Sequence, residues 1–416
     1  MNEAALIALY VLVSACTLAL SWLNLSHQRR VGDKVPLELA EAVDAESLAK
    51  SGAYTRARAR LDIVSSLLST LAFGAFLFIA LGSFDRFVAG VTEGNIAHGV
   101  VMLLLLTFIA RIASIPFGLY AAFRIEARFG FNRMSLGLWF GDWIKATLLS
   151  LAFAALVSAA ALWLVQSSPN WWWLWVWGLF TGFGLLMTFI SPYVIEPLFF
   201  KVKPLSVPEL ETNVQALAHK AGVQISRVFE VDASRRSSHS NAYFSGIGSA
   251  KRVVLFDTLL QGMNKEEILA VLAHELGHWR KRHVTQRLLV SAVLLLGGLY
   301  VGFHLVSSAV LPTFVGEAEL SFAARALVLL AMAQVVTFPL TPLFSFWSRK
   351  HEWEADAFAV ELQGEARHLA DALVKMTREN LSNLHPHPLY AAFYYSHPPM
   401  PERIRKLRAA ELQLAR

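Results

Sequence analysis

Residues 145–196 read KATLLSLAFAALVSAAALWLVQSSPNWWWLWVWGLFTGFGLLMTFISPYVIE, and this stretch decides the fold class. It contains two apolar runs, 145–165 and 171–196, and a helix of about 20 residues is enough to cross a bilayer. Only residues 166–170 separate the runs, which predicts a tight hairpin between two membrane helices. The second run opens with tryptophans, as expected at a membrane–water interface: Trp171, Trp172, Trp173, Trp175 and Trp177.

The same pattern recurs along the chain of 416 residues, of which 55% are hydrophobic and 16% charged. Soluble domains carry about 25% charged residues. We therefore predict a mainly α, multi-pass membrane protein, and its seven transmembrane helices correspond to the apolar runs 4–24, 63–83, 97–121, 145–165, 171–196, 285–312 and 322–346. The first run lacks a basic leader and continues past Cys16, so we interpret it as an uncleaved membrane helix rather than a signal peptide.

Basic residues predict how the chain is oriented. The connections after the first, third and fifth runs and the C-terminal tail are rich in lysine and arginine, whereas the other connections hold little beyond Arg86. By the positive-inside rule, the N-terminus lies outside and the C-terminus lies in the cytoplasm. The formal charge of +6 comes from these topology signals, so we expect no nucleic-acid partner.

The long polar connection after the fifth run is predicted to be a small α+β insert on the cytoplasmic side. Residues 208–221 have helical periodicity, and β-branched and aromatic residues favour strands at 228–231, 241–244 and 253–256. We expect four parts in the chain: helices one to five (1–200), the insert (201–284), helices six and seven (285–347) and a C-terminal segment (348–416).

Residues 274–278 of the insert read His-Glu-Leu-Gly-His. Asn264, with Glu267 three residues later, resembles a capping box that opens the helix carrying this motif. One helical turn places His274 and His278 on one face, where both imidazoles can reach a single metal ion. Glu275 can then take a proton from water bound at the open coordination position. The motif predicts zinc-assisted hydrolysis of a peptide bond.

A catalytic zinc site uses three protein ligands and one water, so a third ligand must come from elsewhere. The metzincin pattern would place glycine at position 281 and histidine at 284, where this chain has Lys281 and Val284. His283 lies five residues after His278 and points to another helix face, so we interpret it as a solvated or interfacial histidine.

The better candidate for the third ligand follows the seventh run. Glu352 and Asp356 are four residues apart and share a helix face, whereas Glu354 points elsewhere. One carboxylate can bind the metal while the other holds a ligand histidine by its second ring nitrogen, and we favour Glu352 as the ligand. Because helices six and seven leave and re-enter the same membrane face, this segment returns to the side of the histidine pair.

Two other segments are candidates for substrate binding. Asn241 and Tyr243 lie in a predicted strand that, as an edge strand beside the metal, could pair with an extended peptide backbone. His397, in the loop Tyr395-Ser396-His397-Pro398-Pro399, could donate a hydrogen bond to an oxyanion. Taken alone, these segments also fit an ordinary strand and an ordinary loop histidine.

Together these segments resemble the type I CAAX prenyl protease family, which are seven-helix membrane zinc metalloproteases. The similarity covers nearly the whole chain and includes, besides the zinc motif, residues 30–32, 35–36, 192–198, 239–244, 253–259, 352–359 and 396–403. The resemblance implies a barrel of seven helices around a water-filled internal chamber, with a gluzincin-like catalytic insert.

The resemblance also implies roles for single residues. One Zn²⁺ per chain would be bound by His274, His278 and Glu352, with Glu275 as the general base. Asn241 and His397 would hold the substrate or stabilise the tetrahedral intermediate. Asp356 would support a ligand, and Arg403 would meet a substrate carboxylate.

The implied partners are membrane lipids and a peptide or protein substrate, which is C-terminally prenylated in eukaryotic members. The compact extramembrane parts favour a bacterial member, located in the inner membrane with its active site reached from the cytoplasm. One alternative is a quality-control protease that cuts membrane proteins without requiring a prenyl group. The other is a non-enzymatic membrane protein with a structural zinc. The sequence carries no indication of the oligomeric state.

Overall fold

In a computed structural model that describes residues 3–225, 227–245, 252–308 and 310–415, the chain consists of long helices and one small sheet. Within these residues, seven helices are long and apolar enough to cross a membrane. They are α1 (Glu3–Val31), α2 (Ala45–Val91), α3 (Asn95–Phe129), α4 (Leu136–Ser167), α5 (Trp172–Phe199), α9 (His283–Val306) and α10 (Phe322–Gln363). The seven predicted membrane helices are confirmed, and most of them extend beyond their apolar runs.

The membrane helices form a closed ring, in which α1 packs on α2, α2 on α3, α3 on α4, α4 on α5, α5 on α9, α9 on α10, and α10 on α1. Only 6% to 17% of the most apolar window of each helix is buried, so no close-packed core fills the ring. The accessible surface of 21375 Å² also exceeds the value of about 16,000 Å² expected of a compact monomer of this length. An open interior accounts for both observations.

One end of the ring is closed by a packed apolar cluster. Leu6, Leu81, Met102 and Val328 belong to it and come from α1, α2, α3 and α10. Beside them, the buried Asp85 carboxylate accepts hydrogen bonds from the amide and the hydroxyl of Ser321, at 2.8 and 2.6 Å. These hydrogen bonds join α2 to the start of α10. The insert lies at the other end of the ring.

The insert contains a four-stranded sheet in the order β1-β2-β4-β3, in which only β2 and β4 run parallel. The strands are β1 (Val202–Pro204), β2 (Arg227–Val231), β3 (Ala242–Ser245) and β4 (Arg252–Phe256). The three predicted strands are found to within a residue, and β3 is an edge strand as expected. The additional strand β1 has three residues and ends in a proline, so its sequence gives no strand signal.

Six further helices surround the sheet and complete the C-terminal segment. They are α6 (Pro208–Lys220), α7 (Asp257–Gly262), α8 (Lys265–Arg280), α11 (Arg367–Glu379), α12 (Pro388–Tyr394) and α13 (Met400–Leu414). The predicted capping box opens α8, since Asn264 and Glu267 exchange hydrogen bonds between side chain and backbone. Ile268 and Leu272 of α8 pack on the sheet, whereas Ala270 and Ala273 pack with residues of α10 and α11. Buried on both sides, α8 is held rigidly.

Two ion pairs fix the insert to the membrane helices. Arg236 donates two hydrogen bonds to Asp142 of α4, at 2.8 and 3.1 Å. Arg252 of β4 is paired with Glu196 near the end of α5. These charge-assisted bonds set the position of the sheet relative to the ring.

Candidate metal centre

Helices α8 and α10 approach each other closely because small residues line their contact. Gly277 of α8 faces Ala355 of α10, and a Cβ atom on Gly277 would lie only 2.9 Å from the Ala355 Cα. Ala273 and Ala359 belong to the same buried contact. Because no larger side chain separates them, the two helix backbones lie close together, and polar side chains of both helices can meet.

Three side chains meet at that point. The Nε2 atoms of His274 and His278, one turn apart on α8, are 3.2 Å from each other. Glu352 of α10 places Oε2 3.4 Å from the His274 Nε2 and Oε1 3.3 Å from the His278 Nε2. One ligand atom from each residue lies within 4.8 Å of the others, close enough for a single ion. Two imidazoles and one glutamate form a donor set typical of catalytic zinc.

The burial of Glu352 tests whether a cation fits here. The residue is 2% exposed, and its Oε2 atom accepts no hydrogen bond within the described part of the chain. The Arg403 Nη1 lies 3.7 Å from this oxygen, too far for a hydrogen bond. A buried carboxylate oxygen without a hydrogen bond is costly, because it has lost the water that it bound when exposed. A divalent cation between Glu352 and the two imidazoles removes that cost. The residues present therefore fit a zinc ion.

Asp356, one turn after Glu352, supports the first histidine. Its Oδ1 lies 2.8 Å from the His274 Nδ1, so the ring nitrogen can donate to it. Burial lowers the pKa of His274, but the adjacent carboxylates of Asp356 and Glu352 outweigh burial and raise this pKa to about 9. A metal ion at Nε2 must therefore compete with a proton that the same carboxylates stabilise.

Arg403 of α13 stands behind these carboxylates. Its Nε and Nη2 donate to the two oxygens of Asp356, at 2.9 and 2.5 Å. The Arg403 side chain is 4% exposed, and its Nη1 lies 3.7 Å from the Glu352 Oε2. Arg403 thus holds Asp356 and also faces the carboxylate of the candidate metal ligand.

Glu275 follows His274 on α8 and is partly buried. Burial raises the pKa of its carboxyl above the ordinary range for glutamate. A general base works best when its pKa approaches the working pH, because it must both take up and release a proton. The environment of Glu275 thus favours the predicted role.

His397 also reaches the centre. Its Nε2 lies 3.4 Å from the Glu352 Oε1, and its Nδ1 lies 2.9 Å from the Ser396 hydroxyl oxygen. A carboxylate oxygen cannot donate, so we assign the ring proton to Nε2 and the acceptor role to Nδ1. Nε2 can then donate toward the site. Arg349 of α10 fixes the preceding backbone by donating to the carbonyls of Ala391 and Tyr395, at 3.0 and 2.8 Å.

Asn241 and Tyr243 make their hydrogen bonds away from the metal cluster. The Asn241 side chain accepts from the Ala242 amide at 2.9 Å, and the Tyr243 hydroxyl bonds to Glu196. Ala242 packs in the core shared with α8, whereas Tyr243 belongs to a cluster with Val254. In the described part of the chain, β3 is the last strand of the sheet and lies beside α8.

The structure overturns the interpretation of His283 as a solvated or interfacial histidine, whereas Glu354 points away from the metal cluster as expected. His283 is 1% exposed, and its Nδ1 lies 2.9 Å from the His278 Nδ1. Its Nε2 lies 3.0 Å from the Glu354 Oε2. Helix α8 ends at Arg280, so a continuous helix was the wrong basis for placing residue 283. The five-residue spacing of the histidines and the run of charges in 349–354 were the available signals.

Comparisons with known proteins agree with this geometry. The family model described as the CAAX prenyl protease N-terminal region, five membrane helices, matches residues 24–201, and that of peptidase family M48 matches residues 204–411. The CAAX prenyl protease 1 homolog of Arabidopsis thaliana is 36% identical over 389 residues, covering 90% of each chain. CAAX prenyl protease 1 of Saccharomyces cerevisiae is 32% identical, covering 92% of this chain and 90% of the yeast protein.

A crystal structure of S. mikatae Ste24p superposes with a TM-score of 0.89 at 29% identity, covering 97% of this chain and 98% of that one. A match to a peptidase family over most of the chain argues against the non-enzymatic alternative. The sequence blocks, the helical ring and the His-His-Glu cluster lead to the same assignment. This chain belongs to the CAAX prenyl protease 1 family and is a multi-pass membrane zinc metalloendopeptidase.

Proposed function

We propose that His274, His278 and Glu352 bind one Zn²⁺ per chain and that Glu275 is the general base of peptide hydrolysis. The observation that carries the proposal is the convergence of two imidazoles and a buried carboxylate oxygen without a hydrogen-bond partner. When bound, zinc acts as a Lewis acid that activates water and polarises the scissile carbonyl. Asp356 holds the His274 ring, and Arg403 holds Asp356.

Residues of the protein transfer the proton and stabilise the negative charge that develops on the substrate. Glu275 accepts a proton from the attacking water and delivers it to the amine nitrogen of the leaving peptide. The His397 Nε2–H donates to the oxyanion that forms on the attacked carbonyl. The free edge of β3, entered at Asn241, pairs with the substrate backbone and aligns the scissile bond. Tyr243 contributes through its backbone at the same edge.

We propose that the substrate is a peptide or protein with a C-terminal CAAX sequence and that a prenyl group is recognised. The names of the relatives support this choice over the quality-control alternative. We place the enzyme in a bacterial inner membrane, as its compact extramembrane parts favour, with the site open to the cytoplasm, as the distribution of basic residues favours. We propose that residues 1–200 and 285–347 form the membrane domain, that residues 201–284 carry the zinc-motif helix, and that residues 348–416 complete the zinc site.

Cleavage of a farnesylated CAAX peptide by purified protein in detergent tests the proposal, with an unprenylated twin and a chelator as controls. Glu275→Gln keeps the shape of the side chain and removes the base, so zinc should remain bound while cleavage falls by at least about a hundredfold. Glu266→Gln, an exposed position on the same helix, is the matched control and should cleave like wild type. Wild-type rates in Glu275→Gln would refute the base assignment, and equal rates on both peptides would refute prenyl recognition.

A further inference from the structure

We propose that His283 and Glu354 are positioning residues that orient the second zinc ligand through a hydrogen-bonded relay, from Glu354 to His283 to His278. The inference rests on the proposed ligand set and adds to it two residues that touch neither the metal nor the substrate. It assigns a function to a buried histidine five residues after the zinc motif.

The distances define the relay. The His278 Nε2 faces the His274 Nε2 and the Glu352 Oε1, at 3.2 and 3.3 Å, so Nε2 is the atom that a metal would use. A neutral imidazole that gives up its Nε2 lone pair carries its proton on Nδ1. That proton points at the His283 Nδ1, 2.9 Å away, which must then be the acceptor.

The same logic fixes the state of His283. With its Nδ1 accepting, the neutral ring carries its proton on Nε2 and donates it to the Glu354 Oε2 at 3.0 Å. One assignment of protons thus satisfies every polar atom of both rings. The opposite tautomer of His283 would place two N–H groups against each other at His278 and would face the Glu354 carboxylate with a lone pair.

The surrounding structure is built to hold His283 in this place. Only Lys281 and Arg282 connect α8 to α9, and Arg282 has a left-handed φ of 59°, which is uncommon for a residue with a side chain. This turn starts α9 at His283 and directs its ring back toward α8. The His351 ring stacks on His283 with a centroid separation of 4.0 Å and an interplanar angle of 6°. A strained turn and a stacked ring both serve the orientation of one imidazole.

The two ligand histidines are therefore supported differently. The Nδ1 of His274 donates directly to Asp356, a carboxylate that is 5% exposed, whereas the Nδ1 of His278 contacts His283, which in turn contacts the Glu354 carboxylate. The side chain of Glu354 at the end of this relay is 38% exposed. Substitutions at Glu354 can therefore be made at the surface without opening the core.

Zinc affinity of the full-length protein in detergent, measured by competition with a chromogenic chelator, tests the relay without depending on catalysis. His283→Phe keeps the stacked ring and removes the acceptor, and we expect a loss of about 10- to 100-fold, the range for partners of metal ligands. His283→Asn restores an acceptor near the position of Nδ1 and should recover most of the affinity. Glu354→Leu should weaken binding, whereas Glu361→Leu, an exposed glutamate on the same helix, should not.

The visible spectrum of the Co²⁺-substituted protein is the second readout. A change in His278 orientation should shift the ligand-field bands in His283→Phe and Glu354→Leu but not in Glu361→Leu. Wild-type affinity and spectra in both relay variants, or an Asn variant as weak as the Phe variant, would overturn the relay alone. If His278→Ala leaves zinc binding intact, the proposed ligand set fails instead. If His283→Phe does not fold, the zinc affinity and Co²⁺ spectrum of Glu354→Leu test the relay.

Discussion

Replacing Gly277 by alanine adds one methyl group at the closest contact between α8 and α10. The added Cβ would lie 2.9 Å from the Cα, 3.1 Å from the carbonyl oxygen and 3.3 Å from the Cβ of Ala355. Carbon atoms pack best at about 3.5 to 4.0 Å, so the helices must separate locally by about 0.6 Å or more. None of these atoms belongs to a flexible side chain that could move aside.

This separation moves the ligands apart. His274 and His278 lie on one helix, and Glu352 lies on the other, three residues before Ala355. Metal–ligand distances tolerate changes of only about 0.2 Å, so a shift three times as large distorts the site. We expect zinc affinity to fall by at least about tenfold, on the scale seen when ligands lose their supports. Overpacking should also destabilise the fold by about 1 to 3 kcal/mol.

Chelator competition and thermal unfolding in detergent measure the two effects. Gly297→Ala is the matched control, because a Cβ at this position of α9 meets nothing within 4 Å. Its affinity and melting temperature should equal or exceed those of wild type, since alanine favours helix more than glycine does. If Gly277→Ala binds zinc as tightly as the control, the close contact does not set the ligand geometry. Lower stability with unchanged affinity would refute the coupling as well.

Three further predictions follow from the same centre. Asp356→Asn should lower both zinc affinity and melting temperature, with a stability loss of at most about 3 to 5 kcal/mol, because the buried Arg403 loses the nearer of its two carboxylate partners and keeps only Glu352. Arg349→Met should lower kcat and leave zinc content unchanged in elemental analysis, since it frees the backbone before His397 and spares the ligands. Below the pKa of Glu275, which burial raises, the base is protonated, so kcat should fall with decreasing pH from a higher pH than for an ordinary glutamate. A pH–rate profile that stays flat to the ordinary glutamate range would contradict this.

The sequence could predict the membrane helices and the ligand pair because each depends on local periodicity. An apolar run long enough to span a bilayer has few alternatives to a membrane helix. His274 and His278 lie within one helix, so a regular turn places both rings. Even Glu352 and Asp356 could be paired with the zinc motif, because the two membrane helices between them return the chain to the membrane face on which the motif lies.

The missed features depend on contacts between distant segments. His283 was misplaced because Arg282 breaks the helix with a left-handed residue, and no local pattern marks an arginine for that conformation. The pairing of Arg403 with Asp356 has no local signal, because the two residues lie 47 positions apart on different helices. The importance of Gly277 is invisible until α10 lies against it. These features need the coordinates of two helices at once.

The position of Glu352 links the chemistry to the assembly of the membrane ring. Helix α10 packs on α9 and on α1, so it closes the ring, and the same helix carries the carboxylate to α8. The histidine pair belongs to the insert, which is fixed to α4 and α5 through Arg236 and Arg252. The three ligands therefore converge through contacts that involve the first, fourth, fifth, sixth and last membrane helices. Closure of the ring and completion of the metal centre depend on the same helix, α10.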